Sequence, residues 1–286
     1  MIATPKGTHD RHRLQCMEIW GGNRAVEDTV SVFGIDAWVL SLPHAEGQQG
    51  GDIHYVSMCG SGRIARFIVA DVAGHGNAAA DLAVVLRNLM KKHINRLDQT
   101  KFARDLNREF GLVANDGSFA TAVLATYFAP TGHLILCNAG HPPPLWYRSR
   151  DRRWRPLVPT MPEQVSRVRN LPLGVIEPTD YQQFAVSLSE DDLVLLYTDS
   201  LIEAANPAGA RLGLDELLGI LERLDGSRPE GLNHEIVAGV RKWASPVRLD
   251  DDTTLLLLRQ NGERPSWPSF STTVKVLGKL IGLVDY

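Results

Sequence analysis

Four aspartates in this sequence stand where a run of apolar, β-prone residues stops or starts: Asp52, Asp71, Asp199 and Asp251. Phe67-Ile68-Val69-Ala70 runs into Asp71, and Leu193-Val194-Leu195-Leu196-Tyr197 runs into Thr198-Asp199. Asp52 precedes the run Ile53 to Met58, and Asp251 precedes Thr253 to Leu258. Taken one at a time, such residues are turn or cap residues. Taken together, they could gather at one rim of a sheet. Gathered carboxylates repel one another and raise each other's pKa, and a divalent cation relieves that repulsion. An all-oxygen donor set suits Mg²⁺ or Mn²⁺, whereas Zn²⁺ prefers His and Cys. Two such ions roughly 3.5–4 Å apart can activate a water and orient a phosphoryl group for in-line attack.

The elements that must position these groups follow from periodicity. Ile53 to Met58 and Ile64 to Ala70 read as strands joined by Gly60-Ser61-Gly62, a hairpin signature. Antiparallel pairing then makes Asp52 and Asp71 neighbours. After Asp71, the glycines of Val72-Ala73-Gly74-His75-Gly76 permit a tight reversal. Asn77 is expected to cap a helix over Ala78 to Lys92, where Leu82, Val85, Leu86 and Leu89 keep amphipathic spacing. A second helix is expected over Lys101 to Phe110, and two more where Leu214, Leu217, Leu218 and Leu221, then Leu232, Ile236, Val237 and Val240, recur at helical intervals. Further strands are expected at 35–40, 119–128, 133–138, 182–188, 192–197 and 253–258, with a small hairpin over 145–147 and 153–157. Hairpin connections outnumber crossovers. The order predicts an α+β domain built in layers on antiparallel sheets. Residues 1–18 read as a flexible polar segment, 19–260 as the domain, and 261–286 as a tail. Val276, Leu277, Leu280, Ile281 and Val284 give that tail a helix-spaced apolar stripe that could pack back, form a homodimer contact or bind a partner.

Composition excludes several classes. Of 286 residues, 44% are hydrophobic and 22% charged, enough apolar material for a large core. A net charge of −3 argues against nucleic acid as the main partner. Cys16, Cys59 and Cys137 stand far apart, which gives neither a disulfide framework nor a Cys-x-x-Cys metal pair and suits a reducing compartment. No apolar run approaches the roughly 18–20 residues of a membrane span, and no signal-peptide core precedes the domain. A cytoplasmic location is expected.

An ordered series of motifs carries a resemblance: Gly51-Asp52, Asp71-Val72-Ala73-Gly74-His75-Gly76, Asn138-Ala139-Gly140-His141-Pro142-Pro143-Pro144-Leu145, Leu173-Gly174-Val175, Tyr197-Thr198-Asp199 and Asp251-Asp252-Thr253-Thr254-Leu255. Over about Ile35 to Arg259 the chain resembles the bacterial SpoIIE/RsbU-like branch of the PPM-type (type 2C) metal-dependent serine/threonine phosphatases. The resemblance implies a central antiparallel β-sandwich with helices on both faces and a centre of two Mn²⁺ or Mg²⁺ ions at one edge. By position, Asp71 would bridge both ions and the Val72 carbonyl would be a ligand. Asp199 and Asp251 would hold one ion between them, and Asp52 would act through waters or ligate the other. It implies hydrolysis of phosphoserine or phosphothreonine by direct attack of a metal-bound hydroxide. The implied substrate is a phosphorylated regulatory protein such as a STAS-type anti-sigma factor antagonist in a partner-switching pathway. Two positions depart from the pattern: Ser200 where glycine often follows the aspartate, and Tyr55 where a second acid is common.

Other residues are weighed beside these. His75 fits a shaped turn better than a phosphate contact, and His141 a buried structural role. Asn138 would satisfy loop backbone. Arg148, Arg150, Arg152, Arg153 and Arg155 read as a solvated, charge-protected edge, with a docking patch for an acidic or phosphorylated protein as the sharper alternative. A non-catalytic binding module on a phosphatase fold and a small-molecule phosphoesterase stand as rival readings.

Overall fold

Strand alternation sets the layers. Strand β6 (Ile64–Val72) sends Phe67 and Val69 to one side and Ile68, Ala70 and Val72 to the other, and all five are buried. A strand with two apolar faces must be covered on both. The computed structural model describes residues 12–15, 17–44, 49–59, 62–74, 76–114, 117–159, 168–247 and 251–265. Before β6 the chain forms β1 (His12–Arg13), β2 (Ile19–Arg24), β3 (Val26–Val32), β4 (Ile35–Leu42) and β5 (Gln49–Cys59). After it come α1 (Asn77–Lys92), α2 (Gln99–Val113), β7 (Ala120–Phe128), β8 (His133–Ala139), β9 (Leu145–Arg148), β10 (Arg153–Pro156), β11 (Gln183–Ser187) and β12 (Leu193–Tyr197). Helices α3 (Ser200–Glu203), α4 (Gly213–Leu221) and α5 (Leu232–Ala244) follow, and β13 (Thr253–Gln260) closes the order.

Two sheets result, in the orders β1-β3-β4-β13-β12-β9-β10 and β11-β8-β7-β6-β5-β2. Apart from β1 on β3, the described strand pairs are antiparallel. Their inner faces share one core, in which Val39, Val194, Leu196, Leu256 and Leu258 meet Val56, Phe67, Val69 and Val123. The outer face of the second sheet packs under α1 and α2 through Leu86, Met90, Phe102, Leu106 and Phe110. The outer face of the first packs under α4 and α5 through Leu217, Ile220, Leu221, Ile236 and Val240. The layers are therefore α-β-β-α, as the resemblance implied.

Several expectations need correction. Asn77 does not cap α1. It is the first helical residue, preceded by Gly76 at φ 74°, and no side chain caps that end. Asp98 caps α2 instead, accepting from the Thr100 and Lys101 amides at 2.8 and 3.3 Å, so that helix begins at Gln99. Strands β11 and β12 follow one another in sequence yet belong to different sheets. Strands β2 and β3 carry no clear signal in the sequence, because Gly21-Gly22 interrupts one and Glu27-Asp28 the other. The ordered fold also begins before residue 19: β1 pairs with β3, and Leu14 is buried. His75 and residues 266–286, with the apolar stripe, lie outside the described residues.

Candidate active site

The β5–β6 hairpin pairs Asp52 directly with Asp71. Alternation fixes which way they face. Val56 and Met58 of β5, and Phe67 and Val69 of β6, point into the core between the sheets. Asp52 and Asp71 share their parity, so both carboxylates close the end of that core. Thr198, just past β12, and Thr254 of β13 have the parity of Val194, Leu196, Leu256 and Leu258 in the opposite sheet. Thr198 Oγ1 donates to Asp52 Oδ2 at 2.9 Å and accepts the Thr254 amide at 2.9 Å. One hydroxyl thus ties the two sheets together at the rim where the acids lie.

The remaining acids come from the facing sheet. Asp199 precedes the short α3, and Asp251 and Asp252 lead into β13. All of them act on Asp71. Burial and then the charges of Asp199, Asp251, Asp252 and Glu203 push its carboxyl up to about 7. Burial and then the charge of Asp71 hold Asp52 well above the usual carboxylate range, against hydrogen bonds from Thr198 and Thr254. Asp199 is raised by burial, then by Glu203 and Asp251. The four aspartates singled out in the sequence therefore share one electrostatic neighbourhood.

Asp252 has a different task from Asp251. Its Oδ1 accepts the His44 amide at 2.7 Å and its Oδ2 the Gly51 amide at 2.6 Å, so backbone donors engage both oxygens. A Cβ at Gly50 would overlap that carboxylate, and one at Gly51 would stand 3.0 Å from the Val72 carbonyl oxygen. The glycine pair before Asp52 is thus what lets β5 approach both the β13 loop and Val72. Asn23 Nδ2 donates to the Gly50 carbonyl at 3.0 Å and the Ala80 carbonyl at 3.3 Å, joining β2, β5 and α1 beside the acids.

This donor set fits a hard divalent cation. It offers the Asp52, Asp71, Asp199 and Asp251 carboxylates and the Val72 carbonyl, all oxygen, in a place where negative charges raise one another's pKa. Among the described residues no three His, Cys, Asp or Glu side chains already converge as a ligand set. His141 stands behind the rim as a structural residue. Its amide donates to Asn138 Oδ1 at 2.8 Å, Asn138 Nδ2 donates to its carbonyl at 2.8 Å, and its Nδ1 lies 2.7 Å from Thr121 Oγ1. Burial pushes its imidazole down to about 3.

Comparison with known proteins decides the family. The family described as stage II sporulation protein E (SpoIIE) matches residues 61–261, which take in Asp71, Asp199 and Asp251 and begin after Asp52. The chain belongs to the SpoIIE family. Phosphoserine phosphatase RsbU of Bacillus subtilis is 26% identical over 231 residues, which are 79% of this chain and 63% of RsbU. Phosphoserine phosphatase RsbP of the same organism is 28% identical over 168 residues, 57% of this chain and 39% of RsbP. The chain thus spans less than two thirds of either relative. Among solved structures, the RsbU and RsbW domains of Rv1364c from Mycobacterium tuberculosis match with TM-score 0.67 and 22% identity, over 91% of this chain and 71% of that one. The PP2C phosphatase domain and regulatory-domain fragment of Bacillus subtilis SpoIIE match with TM-score 0.66 and 16% identity, over 85% and 71%. At these identities the structural likeness concerns the fold.

Sequence reasoning missed Thr198, Thr254, Asp252, Glu203 and Gly50 as parts of this site. Period-2 parity did not single out the threonines, because β12 and β13 are buried on both faces. Nothing local marks Asp252 off from Asp251, because the difference is made by the amides of His44 and Gly51, both remote in sequence.

Proposed function

We propose that this SpoIIE-family chain is a metal-dependent phosphatase that hydrolyses phosphoserine or phosphothreonine on a regulatory protein of the STAS type, within a partner-switching pathway. The observation that carries the reading is Asp71, paired with Asp52 and raised by burial and then by Asp199 and Asp251, at the end of the inter-sheet core. A buried cluster of this kind is a poor resting place for bare carboxylates and a good one for cations. Asp71, Asp52, Asp199, Asp251 and the Val72 carbonyl would hold Mn²⁺ or Mg²⁺. When bound, the ions would neutralise the carboxylates, orient the phosphoryl group and lower the pKa of water. The chain's own residues do the rest. Thr198 and Thr254 aim Asp52, Asp252 anchors the β13 loop on β5, and the Gly50-Gly51 pair leaves room for both. The names of RsbU and RsbP support a phosphoserine substrate, and RsbX, alike in fold at TM-score 0.58, was solved in complex with magnesium.

The test is hydrolysis of a phosphoserine peptide with Mn²⁺, Mg²⁺ or chelator, by the wild type and Asp71→Asn. Metal-dependent turnover that falls by about a hundredfold or more in the variant is expected, given the part metal ions play in such chemistry. Turnover that survives the chelator or the substitution overturns the reading.

A further inference from the structure

A cleft of about 490 Å³ opens directly from the acidic rim. Asp251 and Thr253, Leu42, Pro43 and His44 at and after the end of β4, and Arg241 and the 245–247 turn after α5 line it. A phosphoryl group held beside Asp71, Asp199 and Asp251 is attached to a polypeptide, which must leave the rim somewhere. One of its lining residues, Asp251, belongs to the rim itself, so the cleft offers that path. Its lining combines the acid Asp251, the apolar Leu42, Pro43 and Val247, and the guanidinium of Arg241. Arg241 is exposed and forms no ion pair or hydrogen bond among the described residues. Its place in the last turn of α5 suits the helix dipole, but Lys242 beside it answers that need equally and does not line the cleft. An unpaired guanidinium on a cleft wall is a site for a carboxylate.

We propose that this cleft is the docking groove for the polypeptide flanking the phosphorylated residue, and that Arg241 selects an acidic side chain on that flank. The proposal rests on the phosphatase reading above and adds to it a preference for acidic sequence context. Arg241 is a specificity residue here, because it meets the substrate away from phosphorus.

Three substrates separate the cases: a phosphoserine peptide with glutamates flanking the phosphoserine, the same peptide with lysines in their place, and an aryl phosphate. The wild type with Mn²⁺ should favour the acidic peptide about fivefold in kcat/KM at low salt, the size of one exposed ion pair, with the difference in KM. Arg241→Ala should erase the preference and Arg241→Glu reverse it, while turnover of aryl phosphate stays within about twofold in all three proteins, as one exposed ion pair allows. Equal use of both peptides by the wild type, or an unchanged preference in Arg241→Glu, overturns the proposal. So does a parallel loss on aryl phosphate, which would place Arg241 at the phosphate or in the fold. If the wild type turns over none of the three, the phosphatase reading fails and takes the proposal with it.

Discussion

Replacing Thr198 by valine should unfasten the two sheets where the acids meet. Valine keeps the shape of threonine and removes its hydroxyl. That hydroxyl is buried, donates to Asp52 Oδ2 at 2.9 Å and accepts the Thr254 amide at 2.9 Å. Two losses follow. Asp52, itself buried and with its carboxyl held well above the usual range, loses a donor, and a hydrogen bond to a carboxyl that is not ionised contributes about 0.5–1.5 kcal/mol. The Thr254 amide loses its acceptor in a place water does not reach, which costs about 1–3 kcal/mol. Asp52 offsets part of this by holding its proton more firmly, since the lost bond is one that lowers its pKa. A net loss of about 2 kcal/mol remains, and at roughly 2–4 °C per kcal/mol for a domain of this size the melting temperature should fall by roughly 4–8 °C. The Mn²⁺ concentration for half-maximal turnover should rise as well, because a carboxyl that keeps its proton is a poor ligand. Thermal unfolding of the metal-free protein and a Mn²⁺ titration of activity measure the two effects. Thr198→Ser, which keeps the hydroxyl, should recover most of both. A valine variant that melts within 2 °C of the wild type, with the same Mn²⁺ dependence, would refute the bridge.

Two further perturbations probe the surroundings. Gly50→Ala places a methyl group against the Asp252 carboxylate and should pull it from the His44 and Gly51 amides, raising the Mn²⁺ requirement about tenfold or more, as changes behind metal ligands do; an unchanged Mn²⁺ titration would show the loop anchored by other means. His54 is buried, and burial, with the charge of Arg87 second, pushes its imidazole from 6.5 down to about 4. On acidification the unfolded chain takes up that proton first. The contribution of a neutral His54 is therefore complete above pH 6.5 and drains away as pH falls toward 4, by up to about 3 kcal/mol. Denaturant unfolding between pH 7 and 4 should show a steeper loss for the wild type than for His54→Gln, and parallel curves would remove His54 from the account.

The part of the site that was legible in the sequence is the part built by short-range rules. A glycine turn between two apolar runs makes a hairpin, a hairpin aligns its ends, and Asp52 duly pairs with Asp71. The layered α+β architecture followed in the same way from hairpins and amphipathic helices. What stayed hidden depends on partners far along the chain. Strands β2 and β3 have weak patterns and are strands because β5 and β4 pair with them. Asp98 moves the start of α2 from Lys101 back to Gln99 through a cap that propensity at 101–110 does not reveal. At the opposite end of that logic, Asn77 is a good cap by residue type, yet Gly76 at positive φ takes the position because the chain must reverse sharply after Asp71. The five arginines of 148–155 turned out mostly ordinary. Arg148 and Arg155 pair with Asp151 at 3.3 and 3.1 Å, and Arg152 with Asp225 at 3.7 Å, as on a solvated edge.

The central claim is that Asp52, Asp71, Asp199 and Asp251 form a single centre for two ions. Electron paramagnetic resonance of the protein titrated with Mn²⁺ tests it without any substrate. Two ions per chain should bind, and their separation of roughly 3.5–4 Å should couple their spins. Asp71→Asn, which removes the carboxylate proposed to hold both, should abolish the coupled signal. A wild type that binds no coupled pair, or a coupled pair that persists in Asp71→Asn, would contradict the account.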